Sequence, residues 1–379
     1  LQKLCAREAG HSPFDMEQHM VNMVKTADAS GVRINDDRKA KLLSKLVEHI
    51  DITSFDARPI VDQMANMSFT SRDLGRATSI YNSMLNDPDC TIILTLAGST
   101  SAGGCMDLYA DLVKYNMVDV VVATGASIVD MDFFEGLGFK HYHAQEVPDD
   151  KILRELYIDR IYDTYISEED LQNCDHTILE IANALEPKAY SSRAFIREMG
   201  KYLLQHGKKK NSLVQLAYEN DVPIFCPAFV DSSAGFGLVK HQVDRAKEKK
   251  PYMVLDAIAD FRELTDIKIE AGKTGLLMIG GGVPKNFTQD TVVCAEILGH
   301  DDVEMHAYAV QITVADTRDG ACSSSTLQEA CSWGKVDTAL EQMVFAEAGS
   351  VLPLLASDAY HRGYWKNRKK RAFAKIFAD

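Results

Sequence analysis

Buried-strand runs separated by helical stretches constrain this chain more than any other feature. Thr91–Leu96 is a β-branched and apolar run that ends in Ala-Gly. Val118–Ala123, Val222–Pro227, Gly275–Gly280, His306–Thr313 and Gln342–Ala346 repeat the pattern. Runs that are apolar at successive rather than alternate positions belong to strands covered on both faces. Helical stretches lie between them, at 105–115, 251–265 and 349–360. This alternation predicts an α/β fold built on a doubly wound, mostly parallel sheet with right-handed crossovers.

Residues 1–85 are rich in helix formers and read as an N-terminal helical extension. Their apolar residues recur around Met16, Met20 and Met23, then at Leu42, Leu43, Leu46 and Ile50. The α/β domain spans 86–365, with a helical, charged insertion at about 150–220 that packs on the sheet. The remaining segment, 366–379, is a basic tail opening Lys366-Asn367-Arg368-Lys369-Lys370-Arg371. It reads as a solvated helix end in preference to a contact for RNA or another anionic partner.

The formal net charge of -14 argues against nucleic acid as the main partner and favours a cationic one. Eight scattered cysteines without a CxxC pair read as free thiols, which points to a reducing, cytoplasmic compartment. No apolar stretch approaches the roughly 20 residues of a membrane span. The opening Leu-Gln-Lys-Leu-Cys lacks the pattern of a secretory signal.

Ligands of such sheets bind at the carboxyl ends of the strands. Three small-residue loops stand there: Ala97–Gly104 with Gly98, Ser99, Thr100, Ser101 and Ala102; Thr124-Gly125-Ala126-Ser127; and Gly280-Gly281-Gly282-Val283-Pro284-Lys285. Any one of them reads equally as a tight turn that needs glycine for backbone reasons. Three together point to a dinucleotide site, because backbone N–H groups and a helix N-terminus can approach a pyrophosphate closely. None matches GxGxxG with an acidic residue about 20 positions on, so the usual dehydrogenase fingerprint is absent. Ala271-Gly272-Lys273-Thr274 imitates the end of a Walker A motif, but Ile267 stands where its first glycine belongs. Asp231, after Pro227–Val230, is suited to a ribose hydroxyl, a ligand amine or a helix N-cap. His141 and His143 share a strand face without a third ligand nearby, so no metal site is expected.

Glu329, Trp333 and Lys335 lie close together after the run His306–Thr313. A lysine is nucleophilic only when neutral, so a Schiff-base lysine needs partial desolvation. An indole two residues away supplies apolar cover and a face for a substrate cation. From these residues alone, a salt-bridged surface lysine is still the favoured reading.

Together with Ser332-Trp333-Gly334-Lys335, four further segments change that: Gly280–Lys285, Asn116–Ala126, Pro227–Ser233 and Val351–Leu355. These segments occur in the order of the deoxyhypusine synthase family, which the chain resembles over roughly 60–360. The resemblance implies a Rossmann-like fold and a homotetramer with NAD sites at subunit interfaces. The family's reaction oxidises spermidine with NAD, releases 1,3-diaminopropane, and carries the butylimine on a lysine to an acceptor amine. It assigns the imine-forming role to Lys335 and polyamine contacts to Trp333 and Glu329. NAD contacts fall on Gly98 to Ala102, Thr124 to Ala126, Asp231, Gly281, Val314 and Ala315, and on Glu347 and Ala348, with Glu347 replacing the family's aspartate. Asp130 takes the place of a glutamate near the reactive end of the site.

Three substrate-site positions depart from the family pattern. Phe236 replaces a spermidine-binding aspartate, Asn286 a histidine, and Cys322 another aspartate. The resemblance is therefore nearest to bacterial deoxyhypusine synthase-like proteins, related to homospermidine synthases. It implies an NAD-dependent aminoalkyl transferase acting on a polyamine or related amine, with altered specificity. Two alternatives stand beside it: a true deoxyhypusine synthase that modifies a translation factor, and an NAD- or polyamine-binding protein without turnover.

Overall fold

The structure is a computed structural model and describes residues 37–145, 149–318 and 325–377. Met16, Met20, Met23 and Cys322 lie outside the described residues. The strands are β1 (Thr91–Leu96), β2 (Val120–Ala123), β3 (His141–His143), β4 (Ile158–Ile161), β5 (Thr164–Ser167), β6 (Ala189–Tyr190), β7 (Ile224–Phe225), β8 (Val254–Leu255), β9 (Thr274–Ile279), β10 (Tyr308–Thr313) and β11 (Glu341–Phe345).

Six of them form the central sheet in the order β11-β10-β9-β1-β2-β7, with every neighbouring pair parallel. These are the six runs read as buried strands. The winding runs outward from β1 through β2 to β7, then returns to β9 and proceeds through β10 to β11. The direction therefore reverses between β1 and β9, which is the doubly wound topology expected.

Every residue of β1, β2 and β9 is buried, because the sheet separates two apolar layers. Ile92, Leu94 and Leu96 face a layer built by helices Phe69–Asn86, Met106–Lys114 and Ala348–Arg362, through residues such as Tyr81, Leu112 and Leu355. Ile93, Leu276 and Met278 face the other layer, with Leu264 and Ile267 of helix Ala257–Ala271 and Leu327 and Ala330 of helix Leu327–Ser332. Side chains alternate between faces, so a run that is apolar throughout is what a sheet covered on both sides requires.

Helix Phe69–Asn86 contributes Leu74, Ala77, Ile80, Tyr81, Met84 and Leu85 to the larger layer. The helical spacing through Leu46 and Ile50 does not persist. Helical residues stop at Leu42, and the next segment pairs with β3, through Val47 N to His141 O and His143 N to Lys45 O.

The region 150–220 is helical over Glu168–Ala184, Ser192–His206 and Leu213–Asn220, as read. It also holds the hairpin β4–β5, which joins β3 in an antiparallel sheet in the order β3-β5-β4. Asp159 and Arg160 on the exposed strand β4 hide that hairpin in the sequence. The predicted helix at 251–265 begins only at Ala257, capped by the Asp256 carboxylate, which accepts from Ile258 N and Ala259 N. The preceding Val254 and Leu255 form β8, paired with β6.

The basic tail is not a solvated helix end. The Arg368 guanidinium is buried against Asp119 and donates to Asn116 O, while Arg371 donates to Pro88 O. Trp365 stacks on Tyr360 with ring centroids 5.5 Å apart. His141 is bonded to the Glu135 carboxylate at 2.8 Å, which His49 also contacts. Among the described residues no group of three or more His, Cys, Asp or Glu is placed to hold a metal ion, and no helix is long and apolar enough to cross a membrane.

Candidate active site

The three glycine-bearing loops converge at the carboxyl edge of the sheet, over the β1/β9 reversal. They line a cleft of about 350 Å³ together with Ala97, Ala123, Ala228 and Asp231. Gly98, Thr124, Gly125 and Gly281 are therefore brought together as expected. Gly98 has φ +84°, and a Cβ built on it meets nothing within 4 Å, so the space beside it is open. Gly125 is packed tightly: a Cβ there would lie 2.6 Å from the Ser232 side chain. The Ser127 hydroxyl donates to Gly98 O at 2.8 Å and ties the first two loops together. Ser101 and Ala102 are buried in the turn Ser101–Cys105, which leads into helix Met106–Lys114, and the Thr100 hydroxyl meets Tyr109 OH at 2.6 Å. Ser99 accepts from Gly103 N through its carbonyl, and Ala126 opens the helical segment Ala126–Phe133. This cleft offers backbone groups, hydroxyls and little side-chain bulk, the surroundings that a phosphate-bearing ligand needs.

The other cofactor-assigned residues follow strands at the same edge. Val314 and Ala315 succeed β10, where Ala315 N donates to the Thr313 hydroxyl at 3.1 Å. The Glu347 carboxylate caps helix Ala348–Arg362, accepting from Gly349 N and Ser350 N at 2.7 and 2.8 Å. Asp130 accepts from Ser233 N and its hydroxyl at 3.0 and 2.7 Å, and burial pushes its carboxyl above the usual range. Phe236 is exposed one turn further on. With Ser233 and Asp175 it lines a separate cavity of about 990 Å³.

Lys335 lies elsewhere. Its carbonyl accepts from His306 N, just ahead of the amino end of β10, and its side chain is only 11% exposed. The amine reaches helix Gly282–Gln289, which descends from the third glycine loop. There it pairs with Asp290 Oδ1 at 2.5 Å and donates to Asn286 Oδ1 at 3.4 Å. The Trp333 ring centroid is 5.5 Å from the amine, and the indole is 67% exposed. Asn286 and Asp290 follow Gly282 by four and eight residues, roughly 6 and 12 Å along a helix rising 1.5 Å per residue. Among the described residues of one chain, Lys335 makes its side-chain contacts with Asn286, Asp290 and Trp333 and none with Asp130 or Phe236.

Glu329 is tied into a helix terminus. Its Oε2 accepts from Thr326 N at 2.6 Å while its own N–H donates to the Thr326 hydroxyl at 3.0 Å, a capping box for helix Leu327–Ser332. The backbone bond from Thr326 holds its carboxyl below the usual range. The spacing Thr326-x-x-Glu329 carries this signature in the sequence.

Two neighbours of Lys335 were not singled out from the sequence. Asp290 has no local motif; only the descending helix puts it at the amine. Lys285 is fully buried and donates to Gln311 Oε1 at 2.8 Å and to Ser325 O. Burial pushes its amine down to about 8. Gln311 in turn donates to Gly280 O at 3.0 Å, so one polar chain links the third glycine loop to the segment that starts the Trp333–Lys335 region.

Comparison with known proteins gives one consistent answer. The family model described as deoxyhypusine synthase matches residues 59–359. A "Deoxyhypusine synthase-like protein" of Coxiella burnetii is 74% identical over 340 residues, covering 89% of this chain and 96% of the relative. One of Caulobacter vibrioides is 66% identical over 361 residues, covering 95% and 98%. A solved structure from Entamoeba histolytica that carries the deoxyhypusine synthase name aligns with a TM-score of 0.53 at 21% identity, over 83% of this chain and 97% of that one, a likeness of fold.

Proposed function

The chain belongs to the deoxyhypusine synthase family, and on that premise we propose that it is an NAD-dependent transferase moving an aminoalkyl group from spermidine or a related amine through an imine on Lys335. The observation that carries this reading is the setting of Lys335. Its amine is nearly covered, an exposed indole lies beside it, and Asn286 and Asp290 hold it in place. The indole face accommodates an alkylammonium beside the amine.

The cleft over β1 and β9 fits NAD. Gly98 leaves room for a close backbone approach, Gly125 lets its loop pack against Ser232, Ser127 fixes the two loops, and the Asp231 carboxylate lining the cleft can accept from a ribose hydroxyl. NAD bound there would supply oxidation of the donor amine and reduction of the transferred imine. The chain's own tasks are then to orient the donor, to present Lys335 as the nucleophile and to exclude water.

Lys335 and the cleft are separated within one chain by the helix Gly282–Gln289. This supports a homotetramer in which the lysine of one copy serves the cleft of another. Phe236, Asn286 and Cys322 replace two carboxylates and an imidazole of the family pattern, which favours a small-molecule acceptor over a protein lysine.

The test is to incubate the protein with NAD and spermidine, putrescine or agmatine, reduce with borohydride, and locate adducts by mass spectrometry. The expected result is an aminoalkyl mass on Lys335 with one of these amines, absent without NAD and absent in Lys335→Ala. An adduct on another lysine, or none with any amine, would overturn the reading.

A further inference from the structure

Among the described residues, Lys335 forms an ion pair with one carboxylate. The Asp290 Oδ1 atom lies 2.5 Å from its amine, and Asp290 Oδ2 accepts from Asn286 Nδ2 at 2.9 Å. The Asn286 amide therefore touches both partners, since its Oδ1 accepts from the Lys335 amine. The two sides of the pair differ in exposure: the Asp290 side chain is 33% exposed and that of Lys335 is 11%. An incoming cation meets the carboxylate first, beside the exposed face of Trp333.

Among the described residues, Lys285 on the helix that bears Asn286 feels the charges of both Lys335 and Glu329, the latter on helix Leu327–Ser332. Lys285 is held by neutral acceptors, Gln311 Oε1 and Ser325 O. Glu329 is committed through Oε2 to its capping box. Asp290 is thus the carboxylate in direct contact with the Lys335 ammonium. If a second cation engages it, Lys335 is left with cations on two sides, and a like charge disfavours the protonated form.

We infer that Asp290 is the counterion that keeps Lys335 protonated in the resting protein, and that the ammonium of the incoming amine displaces Lys335 from it and so releases the neutral nucleophile. This rests on Lys335 being the imine-forming residue. The balance is complete. The substrate ammonium takes the Asp290 carboxylate, and the Lys335 ammonium gives one proton to water. With NAD bound, a hydride would pass from the donor amine to the cofactor, leaving a protonated imine. The Nζ lone pair then bonds to the imine carbon. The carbon–nitrogen bond to the departing amine breaks, and that amine leaves with the electron pair and one proton from Nζ.

The test needs neither NAD nor turnover, so it fails independently of the transferase reading. Trace acetic anhydride labelling of Lys335, read by mass spectrometry from pH 6 to 11, gives its titration midpoint in the full chain. Wild type, Asp290→Asn and Asp290→Glu are compared, each with and without saturating 1,4-diaminobutane, after thermal melts establish that the variants fold. Asp290→Asn should lower the midpoint and raise labelling at pH 8 about tenfold, while Asp290→Glu stays near wild type. The diamine should lower the midpoint of wild type and leave Asp290→Asn unchanged. A midpoint that ignores Asp290→Asn overturns the proposal, and so does one that shifts in Asp290→Asn but ignores the diamine in wild type.

Discussion

Replacing Lys285 by Met should change the pH dependence of stability more than stability itself. Lys285 is fully buried, and its amine titrates at about 8 instead of 10.5 because burial penalises the charged form. At ~1.4 kcal/mol per pH unit, that difference is about 3 kcal/mol of penalty carried by the folded protein while the lysine is charged. The sign follows from proton uptake. Between pH 8 and 10.5 the unfolded chain keeps a proton that the folded protein has lost, so wild-type stability rises with pH across that window. Below pH 8 both states are protonated and the penalty is present in full. The Met variant lacks this term, but it leaves Gln311 Oε1 and Ser325 O without the amine, at about 1–3 kcal/mol each. Near pH 7 the two effects nearly cancel. Urea unfolding of both proteins at pH 7, 8, 9 and 10 gives the difference directly, with every other titrating group subtracted. Wild type should gain on the variant by about 2.5 kcal/mol from pH 7 to 10. A flat difference over that range would refute the reasoning that burial holds this amine below its usual range.

Two further outcomes follow from the same geometry. Gly125→Ala places a methyl 2.6 Å from the Ser232 side chain and 3.1 Å from Phe229 O. It should weaken NAD binding, followed by quenching or calorimetry, by about tenfold or more while the fold is retained. Arg368→Ala strands the buried Asp119 carboxylate and should cost about 3–5 kcal/mol in thermal or urea unfolding, against almost nothing for Lys369→Ala. Without the guanidinium the Asp119 carboxyl titrates higher still, so the loss should shrink as pH falls through the acid range; a loss independent of pH would contradict a stranded carboxylate.

The parallel sheet was legible because a strand covered on both faces has to be apolar at every position. Thr91–Leu96 and Thr274–Ile279 have no other comfortable environment. The glycine loops were legible for a related local reason: a close backbone approach at a strand end excludes side chains. The hairpin β4–β5 was not, because half of its exposed strand is charged and strand pairing there depends on β3. The ends of helices were partly legible and partly overlooked. Thr326 and Glu329 spell a capping box, and Asp256 and Glu347 precede helices that they cap.

Lys335 divides the local from the global most clearly. Its sequence neighbours offered an indole and a carboxylate, and from them alone an ion-paired surface lysine was the favoured reading. The ion pair exists, but its partner is Asp290, 45 residues away in sequence, and the amine is covered. Arg368 repeats the lesson: a basic tail suggested solvent, yet its guanidinium is buried against a carboxylate 249 residues away.

Apolar periodicity, glycine loops and caps act over a few residues, so the sequence by itself determined the strands of the central sheet, the edge where the glycine loops gather and the family. Burial and charge pairing are properties of what the folded chain brings together. Only the tertiary structure therefore decided that Lys335 is covered, that Asp290 is its partner, and that a helix separates it from the cleft it is proposed to serve.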